Sequence, residues 1–279
     1  MRLQEKLSAY SKDGKAVLAT NFYNFETLSG ILLAAKQKGQ PVILQLSESS
    51  IQYLGLEIAA NMARTALKSF CVDGWLHLDH GSSVEIAHRC LDAGFDSVMI
   101  DASEKTFDEN VRVTSEVVKI AIRYNANVEA ELGYVAKLGQ MQAVSEYTQP
   151  EEAKRFAEAT GIHALAIAIG SAHGFYKETP KLQLELLSRI HAATPVALVL
   201  HGSSGIPDDQ LREAIARGIS KINLATETKN IFMKTLQRIL RDNEEIDLRK
   251  VFPEATGSVI KLISEKLDIV SGIKVSDEP

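Results

Sequence analysis

Eight short and almost unbroken apolar runs pace the chain from end to end. They are 16–21 (AVLATN), 41–47 (PVILQLS), 75–79 (WLHLD), 97–103 (SVMIDAS), 127–133 (NVEAELG), 164–170 (ALAIAIG), 196–202 (VALVLHG) and 221–226 (KINLAT). Strands buried on both faces read this way, because neither face has to meet water. Helix-period segments lie between them. Asn24 can cap a helix through Leu28, Ile31, Leu32 and Ala35. Ser82-Ser83-Val84-Glu85 reads as a capping box, with Ser82 as the cap, and Thr148-Gln149-Pro150-Glu151 repeats the device with a proline in the first turn. Gly39, Gly94, Gly161 and Gly218 each stand where a helix gives way to a strand, a place that favours positive φ. Helix, glycine, strand and loop, repeated to eight, predict an α/β fold of the (β/α)8, TIM-barrel type. A doubly wound open sheet is the rival. It calls for a glycine-rich phosphate turn after the first strand, and 20–26 contains no glycine. We expect one barrel domain over 1–279. Its helical tail, from about 242, would serve packing or contacts between copies.

Composition narrows the function classes. The formal net charge of -5 argues against a binder of nucleic acid that works by neutralising phosphates, and against a polybasic membrane-surface protein. No apolar stretch approaches the roughly 18 residues of a spanning helix. Residues 1–15 are polar and mixed in charge, unlike a signal peptide. The two cysteines, Cys71 and Cys90, form no framework, which makes a reducing cytoplasm the expected setting.

In such barrels chemistry collects at the carboxyl ends of the strands. Those ends carry Asn21, Ser47, Asp79-His80-Gly81, Asp101, Glu129 and Glu131, Ser171-Ala172-His173-Gly174, His201-Gly202-Ser203-Ser204, and Asn223 through Glu227. Three of the seven histidines, His80, His173 and His201, therefore share one rim. Three converging imidazoles with a fourth position open suit a catalytic metal, zinc above all. Taken singly, each histidine is an ordinary polar residue, and the inference rests on the strand assignment. His77, His88, His163 and His191 are read as structural. A carboxylate beside such a metal can orient an imidazole, bind the ion or move protons. Asp101 is expected to orient an imidazole. Asp79 and His80 are adjacent and should leave the strand in opposite directions, so Asp79 faces substrate. The plainer role for Asp79 is a helix cap, a task that Ser82 already fills. Gly202-Ser203-Ser204-Gly205 and 223–226 stand where barrels hold a phosphate, although a GSSG is also an ordinary turn.

At these residues the sequence resembles the class II, zinc-dependent fructose-bisphosphate and tagatose-bisphosphate aldolases. LDHGSS (78–83), DAGFDSVMIDAS (92–103), VEAELG (128–133), YTQP (147–150), GSAHGFYK (170–177), LHGSSGIP (200–207) and KINLATE (221–227) carry the likeness, over roughly 1–240. The resemblance implies that His80, His173 and His201 hold Zn2+, and that Glu131 meets the metal when it shifts. It implies Asp79 as proton carrier on the C4 hydroxyl, with Asn24, Ser47 and Lys177 at substrate. Gly174, Gly202, Ser203, Ser204, Asn223, Ala225 and Thr226 would cradle the first phosphate and Lys229 would meet the far one. A monovalent cation, Na+ or K+, near Gly174 and Gly202 is also implied, as is a homodimer or homotetramer.

Two features depart from the family pattern. The loop after the fifth strand, 134–142, lacks the usual glycine pair followed by Glu-Asp, so the loop glutamate has no obvious counterpart; Gln140 and Glu146 are the nearest candidates. Alanine at 225, where fructose-specific members tend to carry aspartate, resembles the tagatose branch. The expected activity is reversible cleavage of a phosphorylated ketose to dihydroxyacetone phosphate and an aldehyde. The alternatives are an aldolase acting on a different ketose phosphate, a zinc hydrolase on the same barrel, and a silent sugar-phosphate binder. An exposed aspartate titrates near ~3.9, so burial would have to raise Asp79 to make it a proton shuttle. The strand lysine, Lys221, is expected at the start of its strand, on the wrong rim for a Schiff base.

Overall fold

The structure is a computed structural model that describes residues 1–133, 135, 147–176 and 178–272. The eight apolar runs form eight strands: β1 (Val17–Asn21), β2 (Val42–Ser47), β3 (Gly74–Gly81), β4 (Ser97–Ile100), β5 (Asn127–Leu132), β6 (Ala164–Ile167), β7 (Ala197–Leu200) and β8 (Ile219–Leu224). Each pairs in parallel with the next, and β1 pairs with β8, closing the cylinder. Helices alternate with the strands: α1 (Leu3–Lys12), α2 (Phe25–Lys38), α3 (Glu48–Leu54), α4 (Leu56–Phe70), α5 (Val84–Asp92), α6 (Phe107–Ala121), α7 (Pro150–Thr160), α8 (Leu184–Ala193), α9 (Asp208–Ala216), α10 (Thr226–Ile239) and α11 (Leu248–Val270). This is the (β/α)8, TIM-barrel fold. The α11 helix packs on α2 and α10 in the outer ring.

Two apolar layers hold the cylinder. One lies between strands and helices and includes Leu18, Leu44, Leu76, Leu78, Val98, Val128, Leu165 and Ile222. The other fills the interior, where Val17, Ala19, Ile43, Trp75, Met99, Ala164, Ala166 and Val199 pack on Leu3 and Leu7 of α1, which plugs the amino-terminal end. Strand side chains alternate between faces. The next inward positions toward the carboxyl ends are therefore Asn21, Gln45, His77, Asp79, Glu129, Glu131, His201, Lys221 and Asn223. All are buried. The interior thus changes from apolar to polar on the way up to the mouth.

Local details differ from the sequence reading. Gly39, Gly94, Gly161 and Gly218 do take left-handed φ. Ser83, not Ser82, caps α5, by accepting from Ile86 N. The Ser82 N–H instead donates to Glu48 Oε1 at 2.5 Å, which ties the end of β3 to α3. Thr148 caps nothing. Its hydroxyl donates to Leu132 O (2.5 Å) and accepts from Ala168 N (2.8 Å), bridging the ends of β5 and β6, while α7 starts from Gln149 with Pro150 in its first turn. The β8 strand begins two residues before the expected run. Lys221 is consequently an interior side chain and not a rim residue.

Candidate active site

The β3 strand carries the decisive irregularity. Its register against β4 slips between Leu78 and Gly81, leaving Asp79 and His80 in a bulge, and His80 has φ 53. A left-handed residue breaks the two-sided alternation of a strand. Asp79 and His80 therefore do not part company as the sequence suggested. Both turn into the mouth, with His80 Nε2 4.0 Å from Asp79 Oδ1. Gly81 makes the bulge possible, since a Cβ there would meet Met99 O at 2.7 Å.

The three rim imidazoles come together. Ring centroids lie 4.7 Å apart for His80 and His201, 4.9 Å for His80 and His173, and 5.8 Å for His173 and His201. One nitrogen from each lies within 4.8 Å of the others, close enough to share a metal ion. His80 Nδ1 is 2.7 Å from Asp101 Oδ2, and His201 Nε2 is 2.8 Å from Glu129 Oε1. A carboxylate has no hydrogen to give, so both ring nitrogens carry one and donate. The other nitrogens, His80 Nε2 and His201 Nδ1, then face each other at 3.0 Å. Tetrahedral zinc with Zn–N bonds of about 2.0–2.1 Å separates its nitrogen ligands by roughly 3.3 Å. Imidazoles oriented by carboxylates are the usual metal arrangement. Glu131 lies in a second group with His80 and Asp101, and its buried Oε2 has no hydrogen-bond partner among the described residues. The donor set fits a divalent metal.

The electrostatics follow from burial and these contacts. Burial opposes a charge on His80, but the Asp101 hydrogen bond and the charges of Asp79 and Glu131 outweigh it and lift His80 to about 9. Burial, with help from the charges of His80 and Lys221, holds His201 well below its usual range. Burial beside Asp101 raises Glu131 to about 8. Asp101 goes the other way. Burial pushes it up, but its bonds to His80 and Ser103 hold it well below the carboxylate range.

Asp79 also reverses an expectation. Burial does push its carboxyl up, but His80, His201 and an amide hydrogen bond pull it below its ordinary value. Asn21 Nδ2 donates to Oδ2 at 2.9 Å, while Gln45 Nε2 (3.2 Å) and Asn223 Nδ2 (3.3 Å) donate to Oδ1. Three carboxamides hold it as a carboxylate, which is the form that accepts a proton.

A single cleft is lined by Asp79, His173, Gly174, Gly202, Ser203, Ser204, Asn223, Ala225 and Thr226, all anticipated from sequence, together with Asn21. Gly202 has φ 66, and a Cβ there would run into the Ala172 carbonyl. The hydroxyls of Ser203 and Ser204 are engaged, the first donating to Asn223 O at 2.5 Å and the second accepting from Glu227 N at 3.3 Å. Ala225 precedes α10 with no side-chain cap, so the first turn of that helix opens beside the cleft. Asn24 and Lys229 line a separate pocket with Tyr23 and Tyr53. There Asn24 caps α2 by accepting from Thr27 N at 2.9 Å. Ser47 pairs in register with Asp79 and caps α3. Lys177, loop 136–146 and Tyr134 lie outside the described residues.

Sequence reasoning passed over Gln45 and Tyr176 and left Glu129 without a role. The Tyr176 hydroxyl accepts from Ala172 N (2.6 Å) and donates to Gly202 O (2.8 Å), clamping the loops after β6 and β7 together. Glu129 orients His201. Every-second-residue parity along the strands would have found Gln45 and Glu129. No local signal marks Tyr176.

A closed parallel barrel gathers three imidazoles, a buried carboxylate and a glycine- and serine-lined cleft at its mouth, and the comparisons give the family. The chain belongs to the class-II fructose-bisphosphate aldolases, whose family profile matches residues 1–273. A fructose-bisphosphate aldolase of Geobacillus stearothermophilus is 42% identical over 257 residues, 89% of this chain and 89% of that protein. One from Helicobacter pylori (strain J99) is 35% identical over 288 residues, 93% and 94% of the two chains. The crystal structure of the YdjI aldolase from Escherichia coli K12 superposes with a TM-score of 0.85 at 31% identity, over 100% of this chain and 99% of that one.

Proposed function

We propose that this chain cleaves a phosphorylated ketose of the fructose or tagatose 1,6-bisphosphate type, reversibly, into dihydroxyacetone phosphate and an aldehyde, with Zn2+ held by His80, His173 and His201. The observation that carries this reading is the close approach of those three imidazoles beside a carboxylate, at the edge of an anion cleft. When bound, the zinc ion supplies Lewis-acid stabilisation of the negative charge that develops on the donor half as the C3–C4 bond breaks. Asp79 takes the proton of the C4 hydroxyl, and the C4 carbonyl of the departing aldehyde forms as the bond electrons stay on C3. Asn21, Gln45 and Asn223 aim the Asp79 carboxylate and keep it ionised. The phosphate end rests on the loop at Gly202–Ser204 and the first turn of α10, where helix N–H groups favour an anion. Glu131, buried and with no partner on Oε2 among the described residues, is the further carboxylate that can meet the metal. Lys229, on its own side pocket, would meet the far phosphate, and Ala225 favours the tagatose configuration.

Lys221 is not a Schiff-base nucleophile in this scheme, because it is ion-paired inside the barrel. An assembly of two or four copies and a reducing cytoplasm complete the proposal. The resemblance supports the first, and two free cysteines support the second. Among the described residues no helix is long and apolar enough to cross a membrane. The test is incubation with fructose and tagatose 1,6-bisphosphates while trapping released dihydroxyacetone phosphate. Triose phosphate that vanishes with a chelator and returns with zinc is expected. Release of inorganic phosphate in its place would favour the hydrolase, and no turnover of any ketose phosphate would favour a binder.

A further inference from the structure

Below the metal-competent imidazoles lies a buried chain of polar groups that the cleavage does not use. Lys221 is fully buried on β8, its Nζ 2.7 Å from Glu129 Oε2 and 3.4 Å from His77 Nε2. His77 in turn places Nδ1 2.8 Å from Ser97 Oγ. The second oxygen of Glu129 faces His201 Nε2. An ammonium sealed in a barrel is costly, and it persists only where its charge is matched and its hydrogens are bonded. Here the match is a carboxylate whose other oxygen touches a rim imidazole.

We propose that Lys221 is a positioning residue. Acting through Glu129, it fixes His201 in the Nε2–H tautomer and the ring orientation that presents Nδ1 to the metal. The inference rests on the reading of His201 as a metal ligand. The geometry is specific. The Lys221 ammonium occupies one carboxylate oxygen and pins the Glu129 rotamer, so the other oxygen is presented to His201 Nε2. With that nitrogen bearing hydrogen, the only lone pair on the ring is at Nδ1, the atom 3.0 Å from His80 Nε2. Remove the ammonium and Glu129 loses both its charge match and the partner that sets the direction of its carboxyl group.

The test compares the wild type, Lys221→Met and the double variant Lys221→Met/Glu129→Gln. It reads zinc affinity by chelator competition and the His201 tautomer by 15N NMR of the imidazoles in the metal-free chain. The wild type should show His201 protonated at Nε2. Lys221→Met should lose about ten- to a hundredfold in zinc affinity, the range for lost outer partners of metal ligands, with His201 no longer held in one tautomer. In the double variant the carboxamide oxygen introduced at position 129 again accepts from His201 Nε2–H, and the carboxamide N–H2 faces His77 Nε2. Affinity should return to within a few-fold of the wild type with the Nε2–H tautomer restored. An unchanged tautomer and affinity in Lys221→Met would overturn the proposal, as would a double variant no better than the single one. If the single variant does not fold, a wild-type His201 protonated at Nδ1, or a double variant that binds zinc weakly, overturns it equally. A wild type that binds no divalent ion defeats the reading of the site itself, whereas the tautomer readout still reports whether Lys221 acts through Glu129.

Discussion

Asp79 receives three amide hydrogens and stands 4.0 Å from His80, an arrangement that keeps a carboxylate ionised inside a protein. The role of base proposed for it therefore needs only a substrate hydroxyl within reach. Replacing it by asparagine preserves the shape but removes the acceptor. We expect Asp79→Asn to retain zinc and to lose about 10²–10⁴-fold in turnover, the usual worth of a positioned base. Metal analysis beside steady-state assays checks this, and near-normal turnover would reassign the proton transfer. Asp79 and the three histidines were legible in sequence because they sit at strand ends in glycine-flanked motifs. Gln45 and Lys221 were not, because each interrupts an apolar run once, and their meaning appears only when the parity of neighbouring strands is aligned.

At the scale of elements, the loops after β6 and β7 bring His173 and His201 together, and Tyr176 joins those loops through Ala172 and Gly202. Tyr176→Phe removes both bonds and leaves two backbone groups short of a partner. Stability to urea should fall by about 1–3 kcal/mol, and the KM for the phosphorylated substrate should rise more than kcat falls, since Gly202 lines the cleft proposed to hold the phosphate. Unchanged stability and KM would show that the clamp is idle. The number and order of strands were readable because strands buried on both faces are apolar throughout. Their ends were not. The positive φ of His80 and the β3 bulge depend on what Gly81 packs against, Met99 and Leu78, which no stretch of sequence around it reveals. Thr148 likewise looked like a cap, and only the approach of β6 to β5 turns it into a bridge.

For the whole molecule, the polar upper half of the barrel makes stability depend on pH. Burial and the Lys221 charge hold His77 well below its ordinary range, so the folded chain keeps it neutral. An unfolded chain protonates it near pH 6.5. The unfolded state then binds the extra proton, so the contribution of His77 to stability is complete above about pH 6.5 and is lost as the pH falls below it, at up to about 1.4 kcal/mol per unit. His201 contributes with the same sign and the raised Glu131 and His80 with the opposite one, so the readout is a difference: between pH 7 and 5 the urea midpoint of the metal-free wild type should fall more, or rise less, than that of His77→Gln, and equal slopes would contradict the assignment. Zinc should act in the opposite direction. A ligand held only by the folded state adds about 2.7 kcal/mol at a hundred times its Kd, so Tm should climb with free zinc in the wild type and stay flat in His201→Ala.

The measurement that bears most directly on the central claim is anomalous scattering at the zinc edge from crystals of the zinc-loaded protein. The account predicts one peak bonded at about 2.0–2.1 Å to His80 Nε2, His201 Nδ1 and a nitrogen of His173. A fully active protein whose crystals show no metal between those three rings would contradict it.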